Sequence, residues 1–399
     1  MFSKSGEDME EELTFQQWES TDRTQMSTIV ATLEEFVDLL CDKMDALSKH
    51  SFIAKSQGAH LKKSKEELPP DTAIIICDFA ENYQYVIQGE VQSYHWSKEY
   101  CTLHPISIYI KQGDSLNKAV SLCVLSDDIK HDTPFVYECM KLTVQHCREH
   151  YPHITKFEYF TDRCAGQYKN YKNFLNLCLH AEDFGVQAVW NFFATCHGKG
   201  PCDGIGGTVK RLVRLESLRR VKGDYITDID KMFAFCHSTI KNVKFYLLKA
   251  NEMKARREET NARFGIGSTI PGTQSFHQFI PISKNTVGFK RISSDKLLAG
   301  EHTFGKKQPP IAPGVSVGSY VATVYDLDWY IGLVDSIDHQ RQECMINFMH
   351  PKLPTGFIHW PATVDKCLTP LNRILTAIDV PSSTSLAGRP YQLKKTNIF

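Results

Sequence analysis

Residues Ala73 to Tyr83 have the sequence AIIICDFAENY, and this stretch decides the fold. It opens with β-branched and other apolar residues, which are typical of a strand buried on both faces of a sheet. Asp78 follows where the apolar run ends. Because functional side chains are commonly carried by the segments that follow buried strands, we expect Asp78 to face a site rather than the core.

Two more aspartates have comparable settings. Asp162 follows the apolar segment Phe157 to Thr161, and Asp203 lies in the glycine-rich segment His197 to Gly207, at the entry to a basic helix. Two carboxylates at strand ends and one on a helix form the donor set that a two-metal phosphoryl-transfer site needs. We therefore expect Asp78, Asp162 and Asp203 to be catalytic and metal-binding, with two Mg²⁺ or Mn²⁺ ions as cofactors. The alternative is that they are ordinary loop or helix-capping residues.

Apolar periodicity predicts eight elements around these aspartates, in the order β-β-β-α-β-α-β-α. The predicted strands are 72–79, 102–111, 119–126, 154–161 and 186–195, and the predicted helices are 133–151, 170–183 and 203–220. This order is that of an α/β fold of the RNase H-like type, a mixed five-stranded sheet with helices on both faces. In that fold the first and fourth strands are neighbours, so Asp78 and Asp162 are expected at one edge of the sheet, with Asp203 laid across the same point.

The chain of 399 residues is longer than one average domain. Turn signals about every ten residues after residue 315 predict a small C-terminal β-barrel of the SH3 or Tudor type. The expected segments are an acidic disordered N-terminus (1–25), a helical segment (26–70), the RNase H-like catalytic core (71–222), a helical and irregular extension (223–300), a linker (301–314), the barrel (315–379) and a tail (380–399).

The formal net charge is zero, so any affinity for a nucleic-acid backbone must come from local patches. The clearest basic patch lies on the helix that follows Asp203, and a glycine turn rich in amides and lysines follows Asp162. The alternative is an ordinary solvated helix face. The expected DNA-binding residues are Gln167, Lys169, Lys172, His197, Lys199, Lys210, Arg211 and Arg214.

The 13 cysteines are odd in number and have no framework spacing, which indicates reduced, intracellular cysteine. The sequence has no apolar run of about 18 residues and no apolar segment near its acidic N-terminus, so we expect neither a membrane partner nor secretion. The expected location is the nucleus or the cytoplasm.

Three segments together resemble the catalytic blocks of transposase-derived proteins of animal genomes. They are DFAENY from Asp78, DRCAGQYKN from Asp162 and HGKGPCD ending at Asp203. Those proteins have an RNase H-like core with an acidic triad of the DDE/D type. The resemblance covers roughly residues 45 to 300, and it implies DNA as partner and metal-dependent DNA cleavage and strand transfer. It is also compatible with an oligomeric protein.

Such enzymes commonly carry a separate N-terminal DNA-recognition domain, and here we expect only an acidic stretch and one helical segment. The alternative is therefore a domesticated, catalytically inactive protein that binds DNA or chromatin. A further alternative is an RNase H-like exonuclease that acts on RNA or hybrids.

The predicted C-terminal barrel resembles Tudor and chromo-type modules. Aromatic side chains in such a barrel can form a cage for a methylated lysine or arginine of a chromatin peptide. The alternative is that they fill the small core. The candidate cage residues are Tyr325, Trp329, Tyr330, Phe348 and Trp360.

Overall fold

The computed structural model divides the chain into two compact units, Met1–Ser56 and Gln57–Phe399. Each unit is described by itself. The residues that the structure describes are 11–20, 23–87, 99–113, 116–195, 200–220, 224–305, 315–325, 328–339, 341, 343–352, 357–361, 363–383 and 391–392.

The N-terminal unit is a β-hairpin followed by a helix. Strands β1 (Glu12–Ser20) and β2 (Thr24–Thr32) pair antiparallel, and α1 (Leu33–Glu66) begins directly after them. The Glu35 amide donates to Thr32 Oγ1 over 3.2 Å, and the Thr32 amide donates to Glu35 Oε2 over 3.1 Å. This reciprocal capping box fixes the start of α1 at Leu33.

The expectation of disorder is wrong for Glu12–Ser20 and for residues 24–25, and the expected helix begins at Leu33 instead of residue 26. Residues 1–10 lie outside the described part of the chain. The acidic composition concealed β1, and the helical spacing of apolar residues after Met26 concealed β2. Thr24 to Thr32 is rich in β-branched residues, which favour a strand over a helix.

The second unit contains one mixed sheet of ten strands with helices around it. Its helices, after the end of α1, are α2 (Thr133–His150), α3 (Tyr171–Phe184), α4 (Pro201–Arg219), α5 (Ile229–Thr239) and α6 (Ala250–Ala262). Its strands are β3 (Thr72–Cys77), β4 (Tyr83–Gln84), β5 (Tyr100–Gln112), β6 (Leu116–Ser126), β7 (Lys156–Thr161), β8 (Gln187–Phe192), β9 (Lys244–Leu248), β10 (Gln278–Ser283), β11 (Thr286–Lys290) and β12 (Gly300–Thr303). None of the described helices is long and apolar enough to cross a membrane.

The strand order is β12-β11-β10-β8-β7-β3-β5-β6-β9, with β4 paired to β5. The mixed α/β architecture is therefore confirmed, and the five predicted strands lie together in the order β6-β5-β3-β7-β8. The first and fourth of them, β3 and β7, are parallel neighbours as expected.

The sheet is wider than the five strands predicted. At one edge β9 adds parallel to β6, and it lies inside the segment that we expected to be helical and irregular. At the other edge β10, β11 and β12 extend the sheet beyond β8, so the expected linker begins within a paired strand. Five residues between two helices are too short for periodicity to distinguish β9 from helix.

Helices cover both faces of the sheet. Ile75 belongs to a core cluster with Phe135 of α2 and Phe174 of α3. The next residue along β3, Ile76, packs with Cys202 of α4 on the opposite face. Adjacent strand residues point to opposite faces, so this alternation places α2 and α3 on one side and α4 on the other.

The C-terminal segment forms a separate antiparallel sheet in the order β18-β13-β14-β15-β16-β20-β19, with β17 paired to β15. The strands are β13 (Tyr320–Tyr325), β14 (Asp328–Asp338), β15 (Glu343–Lys352), β16 (Phe357–His359), β17 (Lys366–Pro370), β18 (Ile374–Ile378), β19 (Ser382–Ser383) and β20 (Tyr391–Gln392). The last two strands lie in the segment that we expected to be a loose tail.

Candidate active site

Asp78 and Asp162 lie directly after the ends of two neighbouring strands. Ile76 of β3 is the register partner of Phe160 of the parallel strand β7, and each aspartate follows two residues later. The Asp78 amide donates to the Pro105 carbonyl of β5 over 3.4 Å, which holds the chain against the sheet. Both carboxylates are half-buried.

Helix α4 brings Asp203 to the same point. The helix begins after Gly200, and the Cys202 thiol in its first turn donates to the Ile76 carbonyl over 3.3 Å. A Cβ at Gly206 would stand 3.0 Å from the Cβ of Ala80, so the helix packs directly on the chain that follows Asp78. Asp203 itself is exposed in that first turn.

The three carboxylates interact electrostatically. Burial raises the pKa of Asp78 from 3.8 to about 7, with repulsion from Asp162 as the next cause and a smaller repulsion from Asp203. A hydrogen bond from the Phe79 amide opposes this pKa shift. Burial also raises the pKa of Asp162, against a hydrogen bond of 3.0 Å from the Cys164 amide. Crowded carboxylates of this kind favour a bound cation.

The donor type fits a hard divalent ion, because Mg²⁺ prefers a few carboxylates completed by water and phosphate oxygens. The geometry is not preassembled. Within the ranges described above, no three His, Cys, Asp or Glu side chains form a ready-made ligand set. The Cys164 amide donates to Asp162 Oδ1, which orients this carboxylate.

Histidines that the sequence analysis did not single out support the segment after Asp78. The Phe79 ring stacks on His131 at 4.1 Å, and Asn82 Oδ1 lies 2.9 Å from His131 Nε2. The buried His104 ring lies 2.8 Å, Nε2 to hydroxyl, from Tyr168 in the loop after Asp162. Burial lowers the pKa of His104 to about 3, so it is neutral. These contacts join residues that are far apart in the sequence, and no local motif predicts them.

Basic side chains follow Asp203 along α4. Lys210, Arg211 and Arg214, which we call the α4 basic stripe, lie roughly 10 to 17 Å from Asp203 along the helix axis. Arg211 and Arg214 are exposed. Burial lowers the pKa of Lys210, and the nearby Glu81 carboxylate opposes that shift. At 3.4 Å per nucleotide, these three residues lie about three to five nucleotides of one strand away from Asp203.

Comparison with protein-family models places this region in a family. A family model described as "Domain of unknown function (DUF8701)" matches residues 57–293, more than half of the chain. The chain belongs to the DUF8701 family. A second model, "Domain of unknown function (DUF8700)", matches residues 3–48. No curated protein and no solved structure matches the chain.

The loop after Asp162, inside the DUF8701 match, differs from expectation. Lys169 is only 1 % exposed, and its ammonium donates to the Gln274 carbonyl over 3.2 Å. Lys169 is therefore not available to a DNA backbone, and this expectation is wrong. Arg163, which the sequence analysis passed over, donates to the same carbonyl over 2.7 Å and to Thr195 Oγ1 over 3.2 Å.

The other DNA-contact candidates of the DUF8701 region have mixed positions. Lys172 is half-buried, with its ammonium 5.5 Å from the centre of the Phe264 ring. Gln167 is half-buried, and its carbonyl accepts from Thr133 Oγ1. His197 and Lys199 lie outside the described residues.

The candidate cage residues lie outside the DUF8701 match, and those with described side chains differ in burial. Phe348 belongs to the core of the C-terminal sheet with Tyr330 packed against it, whereas the adjacent Trp329 is 57 % exposed. Trp360 lies 6.4 Å from the Tyr320 ring instead. The Tyr325 side chain is outside the described part of the chain. Successive strand residues face opposite sides, which is why Trp329 and Tyr330 are separated.

A groove of about 660 Å³ lies at the other end of the parallel strands, away from Asp162. It opens because β10 leaves β8 after the pair Phe279–Trp190. In the same register Pro281 would face Ala188, and proline has no N–H to continue the ladder. The groove is separate from the carboxylate site.

Proposed function

We propose that the chain is a transposase-like enzyme that cleaves DNA phosphodiester bonds and transfers DNA strands with divalent metal ions. The observation that carries the proposal is the electrostatic coupling of Asp78 with Asp162 and Asp203 at one edge of the sheet. Carboxylates are seldom crowded in this way without a function, because their repulsion opposes folding.

The topology supports an RNase H-like core. The order β6-β5-β3-β7-β8 joins an antiparallel meander to two parallel strands. This arrangement carries Asp78 on the central strand and Asp162 on its neighbour, and α4 supplies Asp203 from one face. Action on the DNA of a nucleated cell would place the protein in the nucleus.

Each residue has a role in the proposed reaction. Asp78, Asp162 and Asp203 would together hold the metal ions, and Asp78 is the most buried of the three. Two bound divalent ions would activate the attacking water or 3′ hydroxyl and stabilise the leaving oxygen. The α4 basic stripe would hold the backbone phosphates beside Asp203, where Gly204 and Gly207 leave open space for close approach.

A second candidate is a DNA- or chromatin-binding protein that has lost catalysis. It is favoured by the absence, among the described residues, of a preassembled set of three metal ligands. The α4 basic stripe would serve such a protein equally well.

Nicking of supercoiled plasmid by the full-length chain in Mn²⁺ distinguishes the two candidates. The wild type is expected to nick, and Asp78→Asn, Asp162→Asn and Asp203→Asn to lose at least about a hundredfold, as for loss of a positioned catalytic group. Asp379→Asn is the matched control, since this exposed aspartate lies in the C-terminal segment. DNA binding without nicking by the wild type would establish the second candidate and overturn the first.

A further inference from the structure

The described residues of the N-terminal unit form no buried core of their own. None of the side chains that the structure describes between Glu11 and Ser56 is buried, although the backbone there is regular. The ring contact of Phe15 with Phe36, at 4.9 Å, joins two residues that both keep partial exposure. Since small units are stable only when they bury enough apolar surface, this unit requires another polypeptide surface to cover it.

The uncovered apolar surface has the spacing of a coiled-coil seam. Along α1 the apolar residues at 33, 37, 40, 44 and 47 follow one another at alternating intervals of four and three. Val37, Leu40, Met44 and Leu47, which we call the α1 stripe, are 38, 45, 51 and 57 % exposed. Residues at this spacing form one seam that packs into the holes of a facing helix.

The hairpin also leaves apolar side chains exposed. Trp18 and Met26 are cross-strand partners, and they are 65 and 48 % exposed. Val30 lies on the same face of β2 and is 61 % exposed. An apolar sheet face and an apolar helix seam in one small unit exceed the scattered exposure that is normal for a surface.

We propose that the covering partner is a second copy of this chain, with the two α1 helices packed antiparallel. Residues 33–42 carry four acids and no base, whereas residues 43–56 carry three lysines and one acid. Antiparallel pairing sets the acidic half of one helix against the basic half of the other and also opposes the two helix dipoles. A seam centred near Asp42 then packs Val37 against Leu47 of the second copy and Leu40 against Met44.

The self-complementary charge pattern distinguishes a second copy from an unrelated partner. An unrelated helix would have no reason to match both halves of α1, whereas a copy matches them by symmetry. The DUF8700 match covers the hairpin and the stripe and ends at residue 48, apart from the carboxylate site. The proposal therefore stands independently of the proposed catalysis.

The oligomeric state of the full-length chain, measured by sedimentation equilibrium, tests the proposal. The wild type is expected to be a dimer, and Leu40→Gln with Met44→Gln to raise its dissociation constant about tenfold or more, as loss of interface anchors does. Glutamine is a good helix former, so far-UV circular dichroism should stay unchanged. Val364→Gln with Val380→Gln is the matched control, because both valines are exposed, at 65 and 67 %, in the C-terminal segment.

A second measurement uses the exposed thiol of Cys41, which lies close to the proposed two-fold axis. A short bismaleimide is expected to join two wild-type chains, to leave Cys41→Ser as single chains and to join the stripe variant much less. A monomer at every concentration, a larger assembly, or a dimer that the stripe substitutions leave intact would each overturn the proposal.

Discussion

Asp78 and Asp162 stand side by side because each follows, by two residues, a register pair of the parallel strands β3 and β7. Their proximity is therefore fixed by the backbone of the sheet rather than by flexible loops. Asp203 reaches the same point on a helix that packs closely against Ala80 at Gly206. Three separate elements of secondary structure thus hold the charges together, and this arrangement leads to four tests.

The first prediction concerns stability and pH. Burial and repulsion from Asp162 raise the pKa of Asp78 to about 7, so between about pH 4 and 7 the folded state binds more protons than the unfolded state. The contribution of Asp78 to the free energy of unfolding then falls as the pH rises through this window. Asp78→Asn removes the penalty, and we expect it to stabilise the protein more at pH 8 than at pH 5.

Urea denaturation at the two pH values measures this difference, with Asp379→Asn as the control that should show none. A stability gain of equal size at pH 5 and pH 8 would contradict the raised pKa of Asp78.

The second prediction compares two adjacent glycines of α4. Alanine at Gly207 meets open space and should stabilise the helix by about 0.5–1 kcal/mol. Alanine at Gly206 would crowd Ala80 at 3.0 Å, and such overpacking costs roughly 1–3 kcal/mol, which outweighs the same helix gain. Opposite signs in urea denaturation are expected; stabilisation by both variants would show that α4 does not pack so closely beside Asp78.

Local pattern predicted much of this arrangement. The strand at Ala73–Cys77 and its counterpart before Asp162 are continuous apolar runs, and α2, α3 and α4 have clear helical periodicity with recognisable ends. The order of these elements then limits the topology, so the neighbourhood of Asp78 and Asp162 follows from sequence.

Side-chain direction within loops and short strands did not follow from sequence. A glycine turn gave no sign that Lys169 points inward to Gln274, because that contact spans 105 residues. The hairpin β1–β2 was concealed by polar composition, and β9 by its short length between helices. For Lys169 and β9 the deciding interaction is tertiary, and local propensity is a weak guide to it.

The third prediction concerns the α4 basic stripe. Arg211→Gln and Arg214→Gln should each weaken DNA binding to a similar degree for all sequences and reduce the slope of log K against log salt concentration by about 1. Lys254→Gln is the control, because this exposed lysine lies on α6, which packs on α2 at the other face of the sheet. Fluorescence anisotropy across a salt series measures the slope. An unchanged slope in both arginine variants would show that the α4 basic stripe does not contact DNA.

The fourth prediction concerns divalent ions without any assay of activity. A cation bound among the three carboxylates would relieve their repulsion, so Mn²⁺ should raise the melting temperature of the wild type at pH 8 beyond the effect of NaCl at equal ionic strength. The increase should shrink at pH 5, where Asp78 is protonated in the folded state and competes with the ion. Asp78→Asn should lose most of the increase, whereas Asp379→Asn should keep it.

Since Asp78→Asn is itself expected to be more stable at pH 8, the comparison is made on the shift that Mn²⁺ adds to each variant. An equal shift in wild type and Asp78→Asn would mean that the ion binds elsewhere, and the carboxylate cluster would then lose its assignment as the metal site.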